Sequence, residues 1–351
     1  MFIIRNKNIF LSLGIVVMVA AIACMAYFGL SLGIDFTGGS IMEVSFTDRP
    51  AIESVEQDLR ELGIEDGSVR PTGENAYVIR TPFLEESQRA NFLDTLRETV
   101  HKSGGDTTPQ EAATTTAKAA TTTPTTTQAT STATSSEVAA GTSSTTSSNF
   151  VGGVSQDRFS AIGPTVGSEL ATNAVWGIIA VVVGIILFVT FAFRKVSDPV
   201  SSWVYGSTAI FALVHDILLP AGVFAVLGAV RGAQVDLLFV MALLAILGFS
   251  VNDTIVVFDR IRENLREGYE GSEEDTFADT VGLSLEQTYA RSVNTSLTTL
   301  VVLAALYFLG GESTRLFSLT LLVGVIAGTY SSIFLASPLL VKVREWQKGT
   351  S

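Results

Sequence analysis

The sequence is poor in charge. Asp, Glu, Lys and Arg make up 16% of its 351 residues, against about 25% in a soluble globular domain. A single cysteine, Cys24, excludes an internal disulfide and any cysteine-based metal site. The two histidines, His101 and His215, stand far apart and form no ligand motif. The chain has no G-x-x-x-x-G-K-[ST] loop and no triad-like signature, so nothing marks it as an enzyme or calls for a metal or cofactor. The net charge is −12 and no basic stripe occurs, which argues against a nucleic-acid partner. Energy for any work must come from elsewhere, and an ion gradient is the natural candidate.

Apolar residues are abundant, at 47%. They gather in runs of about 20, the length a helix needs to cross the hydrocarbon core. Six spans are expected, at about 9–32, 173–193, 203–228, 237–258, 291–310 and 315–338. Cys24 falls in "AIAC", which faintly resembles a lipoprotein cleavage site. Apolar sequence continues past it, so the stretch is read as a retained span and Cys24 as a packing residue. Lys and Arg set the orientation. Arg5 and Lys7, Arg194 and Lys195, Arg260 to Arg266, and Lys342 to Lys348 all fall on one side if the spans alternate. Both termini are then cytoplasmic, with 1–32 leading in and 339–351 as the tail, and segment 33–172 lies outside.

That outside segment alternates strand and helix signals. "IMEVSF" (41–46), "AYVIRT" (76–81) and "RFSAIG" (158–163) read as strands. Pro50 to Leu62 reads as a helix, with Ile52, Val55, Leu59 and Leu62 at helical spacing. Leu84 to Lys102 reads as another, with Leu93, Leu96 and Val100 on one face. The expected fold class is an α-helical membrane protein of six transmembrane helices. A small ferredoxin-like α+β extracytoplasmic domain is inserted between helices one and two. Residues 103–149 are nearly all Ser, Thr, Ala, Gly and Pro. Such a stretch cannot offset its ordering entropy and is expected to be a disordered tether. The acidic cytoplasmic loop 259–290 within the five-helix bundle 173–338 is read either as a solvated turn or as an amphipathic surface segment.

Charged side chains inside apolar runs cost at least about 2.5 kcal/mol and mark functional sites by default. Asp253, flanked by Asn252 and Thr254, lies in the fourth span of "GFSVNDTIVVFDR" (248–260). Arg291 opens the fifth span, followed by Asn294 in "SVNTSLTT", and comes within reach of Asp253 if the two helices pack. Asp216, preceded by His215, lies deepest, in the third span. A carboxylate suits proton carriage because desolvation strengthens its hold on a proton and a guanidinium weakens it. The plainer reading is interhelical pairing, with Arg291 snorkelling to the interface. Gly177, Gly184, Gly206, Gly248, Gly324 and Gly328 suit close helix contacts. Pro220 is expected to kink its span.

Four motifs in order resemble the SecF family of bacterial protein translocase subunits, within the SecD/SecF group of the resistance-nodulation-division superfamily. They are "GIDFTGG" (33–39), "IGPTVGSEL" (162–170), "GFSVNDTIVVFDRIRENLR" (248–266) and "RSVNTSLTT" (291–299). The Ser/Thr-rich insert is the departure from the family pattern. The resemblance implies an accessory role in protein export across the bacterial cytoplasmic (inner) membrane. It implies SecD and the SecYEG channel as partners, with other Sec accessory proteins and the translocating polypeptide beside them, and the proton-motive force as the energy source. Asp253 and Arg291 fall on the motifs linked to proton coupling, and Asp216 on a further intramembrane acidic position. Gly33, Asp35, Gly38 and Gly39 are assigned to structure where the chain leaves the first span. Two other readings stay open: a small-molecule exporter half, and a non-titrating scaffold for SecD and the channel.

Overall fold

The structure is a computed structural model that describes residues 2–64, 66–103, 152–192, 202–266 and 277–349. The insert from residue 104 to 149, residues 267–276 of the acidic loop, and Arg194 and Lys195 lie outside the described residues. The chain divides into two compact units, Met1–Thr37 with Ser168–Ser351, and Gly38–Gly167.

The first unit is helical. A short α1 (Phe2–Arg5) precedes α2 (Lys7–Phe28), which ends four residues earlier than its apolar run. Gly29, at φ +71°, breaks it there. A single turn, α3 (Ile34–Thr37), closes this part. The remaining spans are carried by α6 (Pro164–Ala192), α7 (Ser202–Arg231), α8 (Leu237–Arg266), α9 (Phe277–Leu309) and a last composite helix. That helix is built from α10 (Glu312–Tyr330), a π turn (Ser331–Ala336) and α11 (Ser337–Gly349). Among the described residues, six helices are therefore long and apolar enough to cross a membrane.

Two of them outrun their expected ends and shorten the acidic loop. α8 continues eight residues past 258 because Ile261 and Asn264 keep the helical spacing and are buried. Arg260–Glu263 and Arg262–Asp259 pairs one turn apart support it. α9 starts at Phe277 because Val281, Ser284, Leu285 and Thr288 face the bundle at helical spacing. At 30 residues, α8 measures about 45 Å, longer than the roughly 30 Å hydrocarbon core.

The second unit runs β1 (Gly39–Phe46), α4 (Ile52–Glu61), β2 (Ser68–Thr72), β3 (Ala76–Thr81), α5 (Glu86–Ser103) and β4 (Val154–Ile162). Its four strands are ordered β2-β3-β1-β4, all neighbours antiparallel. With its βαββαβ chain order this is the ferredoxin-like arrangement. Alternate residues Met42, Val44 and Phe46 of β1 meet Val55 and Leu59 of α4 and Phe92, Leu93 and Leu96 of α5 in one core. Leu62 falls beyond the end of α4 and is exposed, so it takes no part in that face. The strand absent from the sequence reading is β2, "SVRPT". Pro71 argues against a strand, yet β2 is at the sheet edge, where a missing N–H is tolerated.

Candidate functional site

Along α7 and α8 the packing falls into layers. One apolar cluster joins Val204, Tyr205 and Ala209 to Val257, Phe258 and Ile261. Another joins Ala221 and Phe224 to Phe239, Leu243 and Ile246. Between these stretches of the same two helices lie His215, Asp216, Ser250, Asp253 and Thr254, all buried.

Asp216 is fully buried. Its Oδ1 lies 2.9 Å from His215 Nδ1. Its Oδ2 accepts from Ser331 Oγ at 2.7 Å and also from Ser250 Oγ. An ionised carboxylate accepts from all three donors, with the imidazole hydrogen on Nδ1. The other ring nitrogen, Nε2, is buried with no hydrogen-bond partner. The ring stacks on Tyr330, with centroids 5.9 Å apart, and the Tyr330 hydroxyl donates to the Phe10 carbonyl at 2.8 Å. Pro220 sits four residues after Asp216 inside α7, so the Asp216 carbonyl has no helical N–H to accept.

Asp253 is 8% exposed. Its Oδ1 accepts from Ser292 Oγ of α9 at 2.5 Å, and its Oδ2 is buried without a hydrogen bond. Asp216 and Ser332 lie close enough to act on it electrostatically. The neighbouring Thr254 hydroxyl is 2.9 Å from Ser332 Oγ. Among the described residues no lysine or arginine pairs with either carboxylate.

The structure thus gathers Asp253, Asp216, His215 and Thr254, and leaves Arg291, Asn252 and Asn294 facing outward. No ion pair joins Asp253 to Arg291, which is exposed. Successive residues of a helix point about 100° apart, and it is Ser292 that α9 turns toward Asp253. The serines of the cluster drew no attention in the sequence, because a hydroxyl in an apolar run ordinarily bonds its own helix backbone. Their signal was the adjacent pair Ser331–Ser332 in the sixth span, and Ser250 three residues before Asp253.

Among the glycines, Gly324 and Gly328 make the close contacts expected of them. An added Cβ would lie 2.1 Å from Ile246 Cδ1 and 3.2 Å from Ser250 Cβ respectively. Gly177, Gly184 and Gly248 have nothing within 4 Å, and the tight approach of α2 to α7 is at Gly222 against Ala21.

The exit from α2 is held to the head of α8. Gly33 N–H donates to the Val235 carbonyl at 2.7 Å, and Val235 N–H to Ser31 at 2.8 Å. Asp35 Oδ2 accepts from Leu237 N–H and Asp236 Oδ1 from Phe239 N–H, each at 2.8 Å. Two carboxylates therefore serve the unsatisfied donors at the positive end of α8. Burial, reinforced by the Asp35 charge, raises the Asp236 carboxyl above its ordinary range. Gly38 has φ +73°, and a Cβ there would lie 2.6 Å from Pro164 Cα, so only glycine fits.

Among the described residues, six helices able to span a membrane, with two buried carboxylates held among α7, α8, α9 and the last helix, define a multi-pass membrane protein. The comparisons with known proteins narrow this. The family model "Protein export membrane protein SecD/SecF, C-terminal" matches residues 142–346, and "SecD/SecF GG Motif" matches 28–48. The SecF translocase subunit of Thermobaculum terrenum is 36% identical over 97% of this chain and 92% of its own length. That of Anaerolinea thermophila is 33% identical over 99% and 94%. The crystal structure of SecDF, described as a translocon-associated membrane protein, from Thermus thermophilus matches 98% of this chain with a TM-score of 0.69 and 27% identity. The chain belongs to the SecD/SecF family of protein-export membrane proteins, among its SecF members, and is a component of protein translocation. It spans only 38% of that SecDF chain, and 37% of the SecDF of Bacillus subtilis, to which it is 29% identical.

Proposed function

We propose that this chain is the SecF-type half of a proton-driven accessory to the SecYEG channel. It sits in the bacterial cytoplasmic membrane with both termini cytoplasmic and works beside a SecD-type partner on the translocating polypeptide. The observation that carries the proposal is the solvation of Asp216 and Asp253. Each is buried and bonded by hydroxyl groups, Asp216 also by the His215 ring, and among the described residues no lysine or arginine pairs with either. Such a group can gain and lose a proton as helix packing changes around it, which a salt-bridged carboxylate resists.

The partner is supported by the outward face of α9. Arg291, Asn294, Thr295 and Thr298 are all exposed at i, i+3, i+4 and i+7, so they form one polar stripe on a membrane span. Hydrocarbon does not solvate such a stripe, and the spans of a partner chain do. The B. subtilis relative carries its SecD and SecF parts in one chain, as its name SecDF records, which fits that pairing.

Asp253→Asn tests the proposal. Asparagine keeps an acceptor for Ser292 and does not titrate. With the complex shown to assemble, secretion of a reporter is followed with and without a proton gradient. The gradient-dependent part is expected to disappear. If it persists with assembly intact, Asp253 is interhelical glue and the chain acts as a scaffold.

A further inference from the structure

Two buried carboxylates serve a common cycle only if the state of one is felt at the other. Besides Ser250 of α8, which bonds Asp216, one stretch of the sixth span touches both carboxylate neighbourhoods. Ser331 Oγ lies 2.7 Å from Asp216 Oδ2 on α7, and the next residue, Ser332, places its Oγ 2.9 Å from Thr254 Oγ1, the neighbour of Asp253 on α8. Both serines are fully buried and open the π turn Ser331–Ala336. Such turns are rare and gather at functional sites.

The sequence gives the wide turn a cause. Pro338 has no N–H to donate to the carbonyl of Phe334, and in an α-helix its ring would crowd that carbonyl. Ser337 Oγ instead lies 3.4 Å from the carbonyl of Ser332, five residues back. The Ser331 hydroxyl has one hydrogen and two acceptors in reach, Asp216 Oδ2 at 2.7 Å and the Gly328 carbonyl at 3.1 Å. An ionised Asp216 draws that hydrogen to itself. A protonated Asp216 has less need of it, and the hydroxyl can turn back to Gly328.

We propose that Ser331 and Ser332 are positioning residues that transmit the protonation of Asp216 to Asp253 through the π turn. This inference rests on the proton-relay reading above. Among the described residues, the titratable groups beside Asp216 are His215 on its own helix and Asp253 on α8, with Tyr330 on α10 stacked on the His215 ring.

The test is infrared titration of the carboxyl bands in the full chain in lipid nanodiscs, with Asp216→Asn and Asp253→Asn assigning the two bands. Asp216→Asn is expected to move the Asp253 midpoint by about one pH unit, the scale of directly coupled sites. In a Ser332→Ala background that displacement should fall to less than half. Ser331→Ala, with Asp216 intact, should move both midpoints, whereas Ser250→Ala should move that of Asp216 alone. If Asp253 responds to Asp216→Asn equally with and without Ser332, the coupling passes through space and the proposed role of the turn is wrong. If neither band titrates in the wild-type chain, the relay reading itself falls and takes this inference with it.

Discussion

Substituting Gly324 by alanine probes the contact that holds the carboxylate cluster together. Gly324 on α10 faces Ile246 on α8, one turn from Ser250. An alanine methyl there would lie 2.1 Å from Ile246 Cδ1, 2.3 Å from Cγ1 and 3.0 Å from Cγ2. Carbon atoms in contact prefer about 3.5–4.0 Å, so the methyl falls well inside the limit. Ile246 cannot easily yield, because a β-branched side chain in a helix has essentially one rotamer and this one is fully buried. Overpacking of this kind costs about 1–3 kcal/mol. Gly248→Ala supplies the control, since it is on α8 and has nothing within 4 Å. Both substitutions share the same helix-propensity gain, so their difference in denaturant or thermal unfolding in detergent isolates the clash. Gly324→Ala should be the less stable by about 1–3 kcal/mol. Combined with Ile246→Ala, which alone costs about 2–5 kcal/mol, it should cost less than the sum, because the new methyl fills part of the cavity. Equal stability of the two glycine variants would refute the α8–α10 packing and the placement of Ser331 against Asp216.

Asp236→Asn should raise the melting temperature at neutral pH. The native carboxyl titrates above its ordinary range, so the native state binds more protons than the unfolded one between those two values, and stability is lost as pH rises through that window. The gain over wild type should therefore shrink as pH falls and vanish when Asp236 is protonated in both states. Arg291→Ala should leave the Asp253–Ser292 hydrogen bond intact and weaken co-purification with a SecD-type partner, by about 3-fold to 20-fold at typical interhelical polar energies. Phe92→Ala removes a fully buried ring from the core of Gly38–Gly167 and should destabilise that unit by about 3–5 kcal/mol, read as faster proteolysis between residues 38 and 103.

The spans were legible in the sequence because length and apolarity alone decide them. The ferredoxin-like unit was legible through alternation in β1 and β3 and helical spacing in α4 and α5. The strand β2 was not, because Pro71 carries a negative signal that only an edge position cancels. Helix ends went wrong where burial outlasted the apolar run, as with Asn264, Ser284 and Thr288. The site was half legible. Charged residues stand out against apolar sequence, so Asp216 and Asp253 were legible as intramembrane carboxylates, and the structure buries both. Which residue meets Asp253 depends on the rotation of α9 about its axis, and a one-residue difference replaces Arg291 by Ser292. The serine shell and the π turn depend on tertiary contacts among α7, α8 and the sixth span, which no local pattern records.

In the proposed function, protons pass through this membrane core by way of Asp253. The most direct measurement is proton flux into vesicles holding the purified chain and its partner, driven by an imposed gradient. The wild-type and Asp253→Asn complexes are compared at equal protein content. A gradient-driven flux that Asp253→Asn abolishes is expected. Equal flux through both complexes would contradict it.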